Sequence, residues 1–321
     1  LEGKAPARYL VFEMSTMGQG LGATLRGLYL CFYLAMVSGR ALLIRWELPV
    51  ELEDVLFPKD VDWQWSKHKA LLKAFNHSEK KWLKYINTPW TDKVHKKLVK
   101  DVNSRVGAVF LETNLDARQW SPGLTFGALG HPDRTVLSLV QDYNRFPGCA
   151  FHSLFRFPDR GTFRKSWMRL DASVPPGPRL GVHLRVGDVS WRKDSIDKRA
   201  VISQKTWGLR RASEAGSQAV VCAQQLARQI GFRAPCTILF ESDNEDAKAA
   251  AKAAGRVADP CVSWTSKTHP THAIMTREGA RAREAWVALV MLSGVEVLLA
   301  SQSTFSDTAG AIGPGLVDQG R

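Results

Sequence analysis

Residues 236–254, CTILFESDNEDAKAAAKAA, decide the fold of this chain. Residues 236–241 form an apolar run of strand length, the polar turn Ser242-Asp243-Asn244 follows, and Gly255 ends the helical stretch 245–254. A buried strand that leads into a helix is half of a βαβ unit, in which parallel strands lie in a sheet covered by helices. The stretch therefore predicts a parallel α/β sheet.

The same alternation continues on both sides of this stretch. Residues 179–186 (RLGVHLRV) and 295–300 (VEVLLA) have the pattern of strands, whereas 213–230 and 277–293 have the pattern of amphipathic helices. For the helix over 213–230, Ser213 is the expected N-cap and Gly231 the expected C-cap. These segments predict a doubly wound α/β domain.

The start of the chain repeats the pattern. Residues 8–14 (RYLVFEM) and 41–46 (ALLIRW) are strand-like, and between them lie a glycine-rich turn over 18–22 and an apolar helix over 25–38. Strand, glycine turn, helix and strand form a βαβ unit of the kind that approaches phosphates. Residues 60–160, which are mixed and rich in tryptophan, are predicted to be helices and loops.

A proline-rich segment, Val174-Pro175-Pro176-Gly177-Pro178, separates the two halves. Consecutive prolines fix φ and remove backbone donors, so they exclude regular structure. The chain is also long enough for two cores. We therefore predict two domains, 1–175 and 176–321.

The chain is basic, with a formal net charge of +13, which suits polyanionic partners such as nucleotides. Nucleic acid is the other polyanion to consider, but the lysines and arginines are spread along the chain. Their longest concentration, 67–100, also carries tryptophans and apolar residues, as a solvated helical face does. We predict no nucleic-acid partner.

The five cysteines show no spacing that suits zinc, so no metal site is predicted. They leave two alternatives open, either buried thiols or one or two disulfides in an oxidising lumen.

Four polar motifs fall where the predicted strands end. In residues 17–26 (MGQGLGATLR), alternate glycines that include Gly20 and Gly22 let the backbone come close to an anion at a helix start. The alternative is a tight turn required for packing.

The second motif is His183-Leu184-Arg185-Val186-Gly187-Asp188. Strand alternation puts His183 and Arg185 on one face, and a guanidinium there can bind phosphate oxygens bidentately. Asp188 would hold the turn or orient the arginine. The alternative is a hydrogen-bonded core histidine with a structural ion pair.

The other two motifs follow the remaining strands. Ser303 and Thr304 lie in residues 300–307 (ASQSTFSD), where hydroxyls and helix-start amides can bind a diphosphate or simply cap the helix. Asp243 either contacts the nucleotide or caps the helix after it, and capping is the interpretation that we favour from the sequence.

Together these motifs resemble those of the GDP-fucose fucosyltransferase superfamily, which includes α1,6-fucosyltransferases, rhizobial nodulation fucosyltransferases and protein O-fucosyltransferases. The matching stretches are GQGLGATLRGLYLCFYLAMVSGRALLI (18–44), HLRVGD (183–188), ILFESDNEDAKAAAK (238–252) and LLASQSTFSDTAG (298–310). Residues 47–175 show no such similarity.

The resemblance implies a GT-B fold, in which two Rossmann-like domains face a central cleft. Domain 1–175 would carry acceptor-side insertions, and domain 176–321 would bind the nucleotide sugar. It further implies inverting transfer of fucose from GDP-fucose to a hydroxyl of a glycan or glycoprotein, without a metal or cofactor. The expected location is the Golgi lumen, and any membrane attachment would lie in an anchor that precedes Leu1.

The resemblance also implies roles for single residues. Arg185 would bind the β-phosphate as the sugar bond breaks, His183 and Asp188 would support the guanine or ribose, and Ser303 and Thr304 would bind phosphate. Gly20 and Gly22 would approach the donor from the first domain. Asp194 is the expected acceptor base, because inverting transfer benefits from removal of the acceptor proton; a surface residue in a charged run is the alternative.

Three positions depart from the family pattern. Val186 stands where the α1,6 enzymes have a second arginine, and Ala23-Thr24 stand where they have an amide-containing pair. These differences leave two alternatives open, a donor other than GDP-fucose and a noncatalytic glycan-binding relative.

Overall fold

The computed structural model describes residues 8–14, 20–86, 88, 91–115, 146–185, 212–255, 261–265, 279–301 and 303–316. The chain divides into two compact units, Leu1–Pro158 and Asp159–Arg321. Each unit contains its own four-stranded parallel sheet. The predicted α/β class is therefore confirmed.

The first unit is built on a sheet with the strand order β2-β1-β5-β4. A short antiparallel pair, β3 with β6, lies outside this sheet. The elements in chain order are β1 (Tyr9–Met14), α1 (Leu21–Ser38), β2 (Ala41–Trp46), a 3-10 turn (Leu52–Asp54), β3 (Phe57–Pro58), α2 (Trp65–Ala74), a second 3-10 turn (His77–Glu79), β4 (Lys80–Tyr85), α3 (Asp92–Val102), β5 (Ala108–Thr113), α4 (Phe146–Leu154) and β6 (Phe155–Arg156).

The prediction of helices and loops for residues 60–160 was wrong in part, because two of the four sheet strands lie there. β5 (AVFLET) is buried along its whole length between β1 and β4. β4 (KKWLKY) is an edge strand whose lysines reach solvent, so its apolar residues are too few to produce a strong strand pattern. The basic stretch 67–100 is therefore only partly helical.

Helix α1 connects β1 to β2 and packs against the sheet. It is apolar and long enough to cross a membrane by length and composition, but most of it is buried inside this unit. A Cβ added at Gly27 would lie 1.9 Å from the carbonyl oxygen of Thr113, so this glycine permits the close approach of α1 to the end of β5. The helix ends at Gly39, whose φ of 59° is in the left-handed region.

The second unit has the strand order β10-β7-β8-β9, with β7 and β8 in the centre. Helices are interspersed between its strands, as the sequence predicted. The elements are α5 (Thr162–Asp171), β7 (Arg179–Leu184), α6 (Ala212–Gln229), β8 (Cys236–Ser242), α7 (Glu245–Ala254), β9 (Cys261–Thr265), α8 (Gly279–Ser293), β10 (Val297–Ala300) and α9 (Thr304–Leu316).

The division between the units falls before the proline-rich segment, whereas the sequence placed the boundary between 175 and 176. Helix α5 precedes that segment but packs against α8 of the second unit. Its last residue, Asp171, also pairs with Arg179 at the start of β7. The prolines therefore join α5 to the second sheet, and the division lies between Pro158 and Asp159.

One disulfide is present among the described residues. Cys236 and Cys261 are register partners at the first positions of β8 and β9, and their sulfurs are bonded. Of the other cysteines, Cys31 is buried, whereas Cys149 and Cys222 are exposed thiols. Since disulfides persist in oxidising compartments, this bond is consistent with a secretory route.

Candidate functional site

The carboxyl edge of the second sheet brings three of the sequence motifs together. β7, β8 and β10 are adjacent parallel strands, and they are followed by Arg185, Asp243 and Ser301. Just before this edge, His183 on β7 is the register partner of Ala300 on β10 and of Glu241 on β8. These three residues therefore form one row across the sheet. Ligands of open α/β sheets bind at the carboxyl ends of the strands, so this edge is the candidate site.

Arg185 is held from its backbone and from its side chain. Its backbone N–H donates to Ser301 Oγ at 2.6 Å, and the Ser301 N–H donates to the His183 carbonyl at 2.9 Å. Its Nε lies 3.3 Å from Asp243 Oδ2, and its side chain remains 33% exposed. The guanidinium is thus oriented by a carboxylate while part of it still faces solvent, as a phosphate-binding arginine requires.

Asp243 does not cap the helix that follows it, so this interpretation was wrong. The N-cap of α7 is Asn244, whose Oδ1 accepts a hydrogen bond from the Ala247 N–H at 3.0 Å. Asp243 instead faces the neighbouring strand end and pairs with Arg185. Two consecutive residues that can both cap a helix give the same sequence signal, and only the structure distinguishes them.

His183 is a buried, neutral ring in this structure. It is 7% exposed, and its ring centroid lies 5.1 Å from that of Phe305. Burial first, and the nearby Arg185 charge second, lower its pKa to about 3. Its Nδ1 has no hydrogen-bond partner within the described part of the chain. An uncharged imidazole cannot neutralise a diphosphate, so His183 can act here only through packing or as a neutral hydrogen-bonding group.

This burial predicts a specific dependence of stability on pH. An unfolded histidine takes up a proton near pH 6.5, whereas folded His183 resists protonation down to about pH 3. The unfolded state therefore binds more protons in this window, and stability falls as the pH falls. We expect His183 to contribute a loss of about 1.4 kcal/mol per pH unit below 6.5.

Urea unfolding at pH 7, 6, 5 and 4 measures this loss in the wild type and in His183→Phe. The wild type should lose more stability between pH 6 and 4 than the variant does. Equal slopes for the two proteins would show that His183 is accessible to protons in the folded state.

Ser303 and Thr304 lie at the start of α9, where the sequence expected them. Ser303 is used as a cap, because its Oγ accepts from the Phe305 N–H at 3.2 Å and its carbonyl accepts from the Asp307 N–H at 3.0 Å. The Thr304 carbonyl accepts a hydrogen bond from the Thr308 hydroxyl at 2.8 Å. Ser303 therefore makes the contacts that the capping alternative expects. Phe305, in the first turn of α9, packs against the His183 ring, so the start of α9 lies beside His183.

The sequence did not single out Ser301 as a site residue, although it lies within the quoted motif. Its hydroxyl accepts from Arg185 N–H, and its carbonyl accepts a hydrogen bond from the Ser306 hydroxyl at 3.1 Å. Ser301 therefore links the loop after β7 to the first turn of α9. A serine directly after a predicted strand was the only available signal.

Gly20 and Gly22 lie in the first unit, at the start of α1. Gly20 is the N-cap, with extended backbone angles, and a Cβ added there would meet no atom of the described residues within 4 Å. Gly22 is inside α1 rather than in the turn, because the helix begins at Leu21 and not at residue 25.

Two predicted site residues, Asp188 and Asp194, lie outside the described residues, as does Val186. Within the described ranges, no group of three or more His, Cys, Asp or Glu side chains could hold a metal ion.

No protein-family model and no curated protein matches this chain. Solved structures do match it across nearly the whole length. NodZ α-1,6-fucosyltransferase co-crystallized with GDP matches with a TM-score of 0.50 and 13% identity, over 97% of this chain and 94% of that one.

POFUT1 matches in two of its complexes. Its complex with GDP gives a TM-score of 0.52 and 12% identity, over 96% of each chain. Its complex with GDP-fucose gives a TM-score of 0.53 and 12% identity, over 97% of this chain and 95% of that one. The resemblance that the motifs indicated is thus confirmed in the fold: this chain has the GT-B fold of these fucosyltransferase structures.

Proposed function

We propose that this protein is an inverting glycosyltransferase that moves fucose from GDP-fucose to a hydroxyl of a glycan or glycoprotein. The observation that carries the proposal is Arg185 at the carboxyl edge of a parallel sheet: its partly exposed guanidinium pairs with Asp243, and its backbone N–H donates to the Ser301 hydroxyl. The fold is the second support, since matching structures contain GDP or GDP-fucose.

Arg185 would act on the leaving group. As the bond between the anomeric carbon and the β-phosphate oxygen breaks, its electron pair stays on that oxygen and GDP gains negative charge. A positioned guanidinium stabilises this charge as it develops, which lowers the barrier. Asp243 would orient Arg185 through its contact with Nε, and the guanidinium has further N–H donors for the phosphate.

The remaining roles complete the reaction. The acceptor oxygen attacks the anomeric carbon from the opposite face, and a base takes its proton; we assign this role to Asp194. His183, kept neutral, and Asp188 would contact the guanine or ribose. Ser303 and Thr304 would approach the donor phosphates.

We also place the protein in the lumen of the Golgi. The Cys236–Cys261 disulfide supports an oxidising compartment. A tagged full-length protein that remains in the cytosol, with both cysteines open to alkylation, would contradict this placement.

The donor can be tested with the purified protein and a panel of nucleotides and sugar nucleotides. A ligand at 100 times its Kd adds about 2.7 kcal/mol to the free energy of unfolding. We therefore expect GDP and GDP-fucose to raise the melting temperature, UDP and UDP-sugars to have less effect, and GDP-fucose to release GDP. Binding without release from any sugar nucleotide would indicate a noncatalytic relative, and release from another sugar nucleotide alone would change the donor.

A further inference from the structure

A pocket of about 170 Å³ lies in the first unit, beside the carboxyl end of β2. It is formed by residues of the β2 end, the 3-10 turn and the start of α2, and none of the predicted site residues contributes to it. Its lining residues are Ile44, Trp46, Glu47, Glu51, Leu52, Glu53, Trp65, Ser66 and Lys69.

The pocket has an apolar floor and a polar rim. Ile44, Trp46 and Leu52 are at most 3% exposed and form the floor. The rim residues, by contrast, are exposed and carry charges or a hydroxyl: Glu47, Glu51, Ser66 and Lys69. A concave apolar surface with a few convergent polar groups is the usual form of a small-molecule site.

The aromatic wall of the pocket is fixed in place. The Arg45 guanidinium lies 5.4 Å from the centroid of the Trp65 ring, and Phe110 contacts the same ring edge-on at 6.1 Å. Arg45 is itself held by Glu13, with an N–O distance of 2.8 Å. Trp65 therefore presents a rigid surface to a ligand, at little further cost in side-chain entropy.

One of the acidic side chains is also fixed. Glu53 accepts hydrogen bonds from the Ser66 hydroxyl at 2.8 Å and from Gln64 Nε2 at 3.1 Å. A second carboxylate, Glu47, pairs with Arg45 at 3.3 Å. These two carboxylates thus form part of the rim, and their contacts within the protein already compensate part of their charge.

Two charged side chains on the rim are available to a ligand. Within the described part of the chain, neither the Glu51 carboxylate nor the Lys69 ammonium makes a hydrogen bond or ion pair. One is a strong acceptor and the other a strong donor. A ligand with several hydroxyl groups can use both at once, because a hydroxyl donates and accepts.

From these features we infer that the pocket binds one uncharged pyranose ring of the acceptor glycan, an inference that rests on the proposed function. A cavity of about 150 Å³ can hold one six-membered carbon ring, so the volume fits a single sugar unit. The C–H face of the ring packs on the tryptophan-lined floor, and the hydroxyls reach Glu51 and Lys69. Three carboxylates against one ammonium disfavour an acidic sugar.

The test uses the methyl glycosides of glucose, galactose, mannose and N-acetylglucosamine as probes. Tryptophan fluorescence and saturation-transfer NMR report their binding to the whole protein. We expect at least one to bind, and we expect Glu51→Gln to weaken it about tenfold through loss of a charge-assisted hydrogen bond. Ser66→Trp, which places an indole over the opening, should abolish it.

A matched control comes from the 3-10 turn that follows Glu51. Asp54→Asn makes the same change of charge on an exposed residue that does not line the pocket, and it should leave glycoside binding unchanged. GDP affinity should be the same in all three variants, whereas Arg185→Ala should lose GDP binding and keep glycoside binding.

The outcomes separate the two proposals. If no glycoside binds, or if Glu51→Gln and Ser66→Trp bind it as well as Asp54→Asn does, the pocket is not a sugar site, whatever the result with GDP. If the glycoside binds as expected but GDP does not, the nucleotide-sugar function fails and the pocket stands as a sugar site.

Discussion

Replacing Arg185 with alanine is expected to lower the rate of sugar transfer about 100- to 1,000-fold, the range that follows loss of one positioned donor to a developing negative charge. The fold should survive. The Arg185 side chain is 33% exposed and that of Asp243 12% exposed, so we expect the loss of stability to lie between the value of about 1 kcal/mol for a surface ion pair and the value of about 3–5 kcal/mol for a buried one. Steady-state kinetics with GDP-fucose and urea unfolding measure the two quantities separately.

Three further variants make this result specific. Arg169, an exposed arginine on α5 of the same unit, is the matched control, and Arg169→Ala should retain full activity. Arg185→Lys keeps the charge but loses the bidentate fork, so it should fall between the wild type and alanine. Asp243→Asn should weaken GDP binding less than Arg185→Ala, because it disturbs only the orientation of the guanidinium. Full activity in Arg185→Ala would remove the basis of the proposed mechanism.

The two central strands of the second unit, β7 and β8, could be predicted closely because they are buried. β8 and α7 lie within one residue of the predicted ranges, and the expected end of α7 at Gly255 is confirmed. Continuous apolar runs between glycine and polar turns produce this signal, since both faces of such a strand are covered. The same pattern placed Arg185 at a strand end, next to two other strand ends.

The first unit was harder to predict, for two physical reasons. β4 (KKWLKY) is an edge strand in which three lysines are mixed with apolar residues without regular alternation, and this composition also fits an exposed helix face. The pocket lining comes from a strand end, a 3-10 turn and a helix start, whose approach depends on packing rather than on local sequence. The pairing of Asp243 with Arg185 could not be predicted from the sequence either, because Asp243 and Asn244 have similar capping propensities. It depends on the sheet, which places the ends of β7 and β8 side by side.

A buried ion pair beneath the candidate site is expected to give the largest effect on stability. Lys248 Nζ on α7 lies 3.0 Å from Glu241 Oε2 on β8, and the two side chains are 8% and 10% exposed. Glu241 is the register partner of His183 and precedes Asp243 by two residues. We expect Lys248→Met to cost about 3–5 kcal/mol, because it leaves a carboxylate buried without its cation.

The stability of the double variant relative to the wild type shows whether the ion pair stabilises the fold or only avoids an unpaired buried charge. Two well-packed apolar side chains often replace a buried ion pair at no net cost, so Lys248→Met combined with Glu241→Leu should regain most of the stability lost in Lys248→Met. The exposed pair Lys67–Asp62, with side chains 57% and 54% exposed, is the control, and Lys67→Met should change stability by less than about 0.5 kcal/mol. If the double variant folds stably but binds GDP as the wild type does, the pair serves the fold alone. If it folds stably and loses GDP affinity, Glu241 also positions the strand end that carries Asp243, and through it the guanidinium of Arg185.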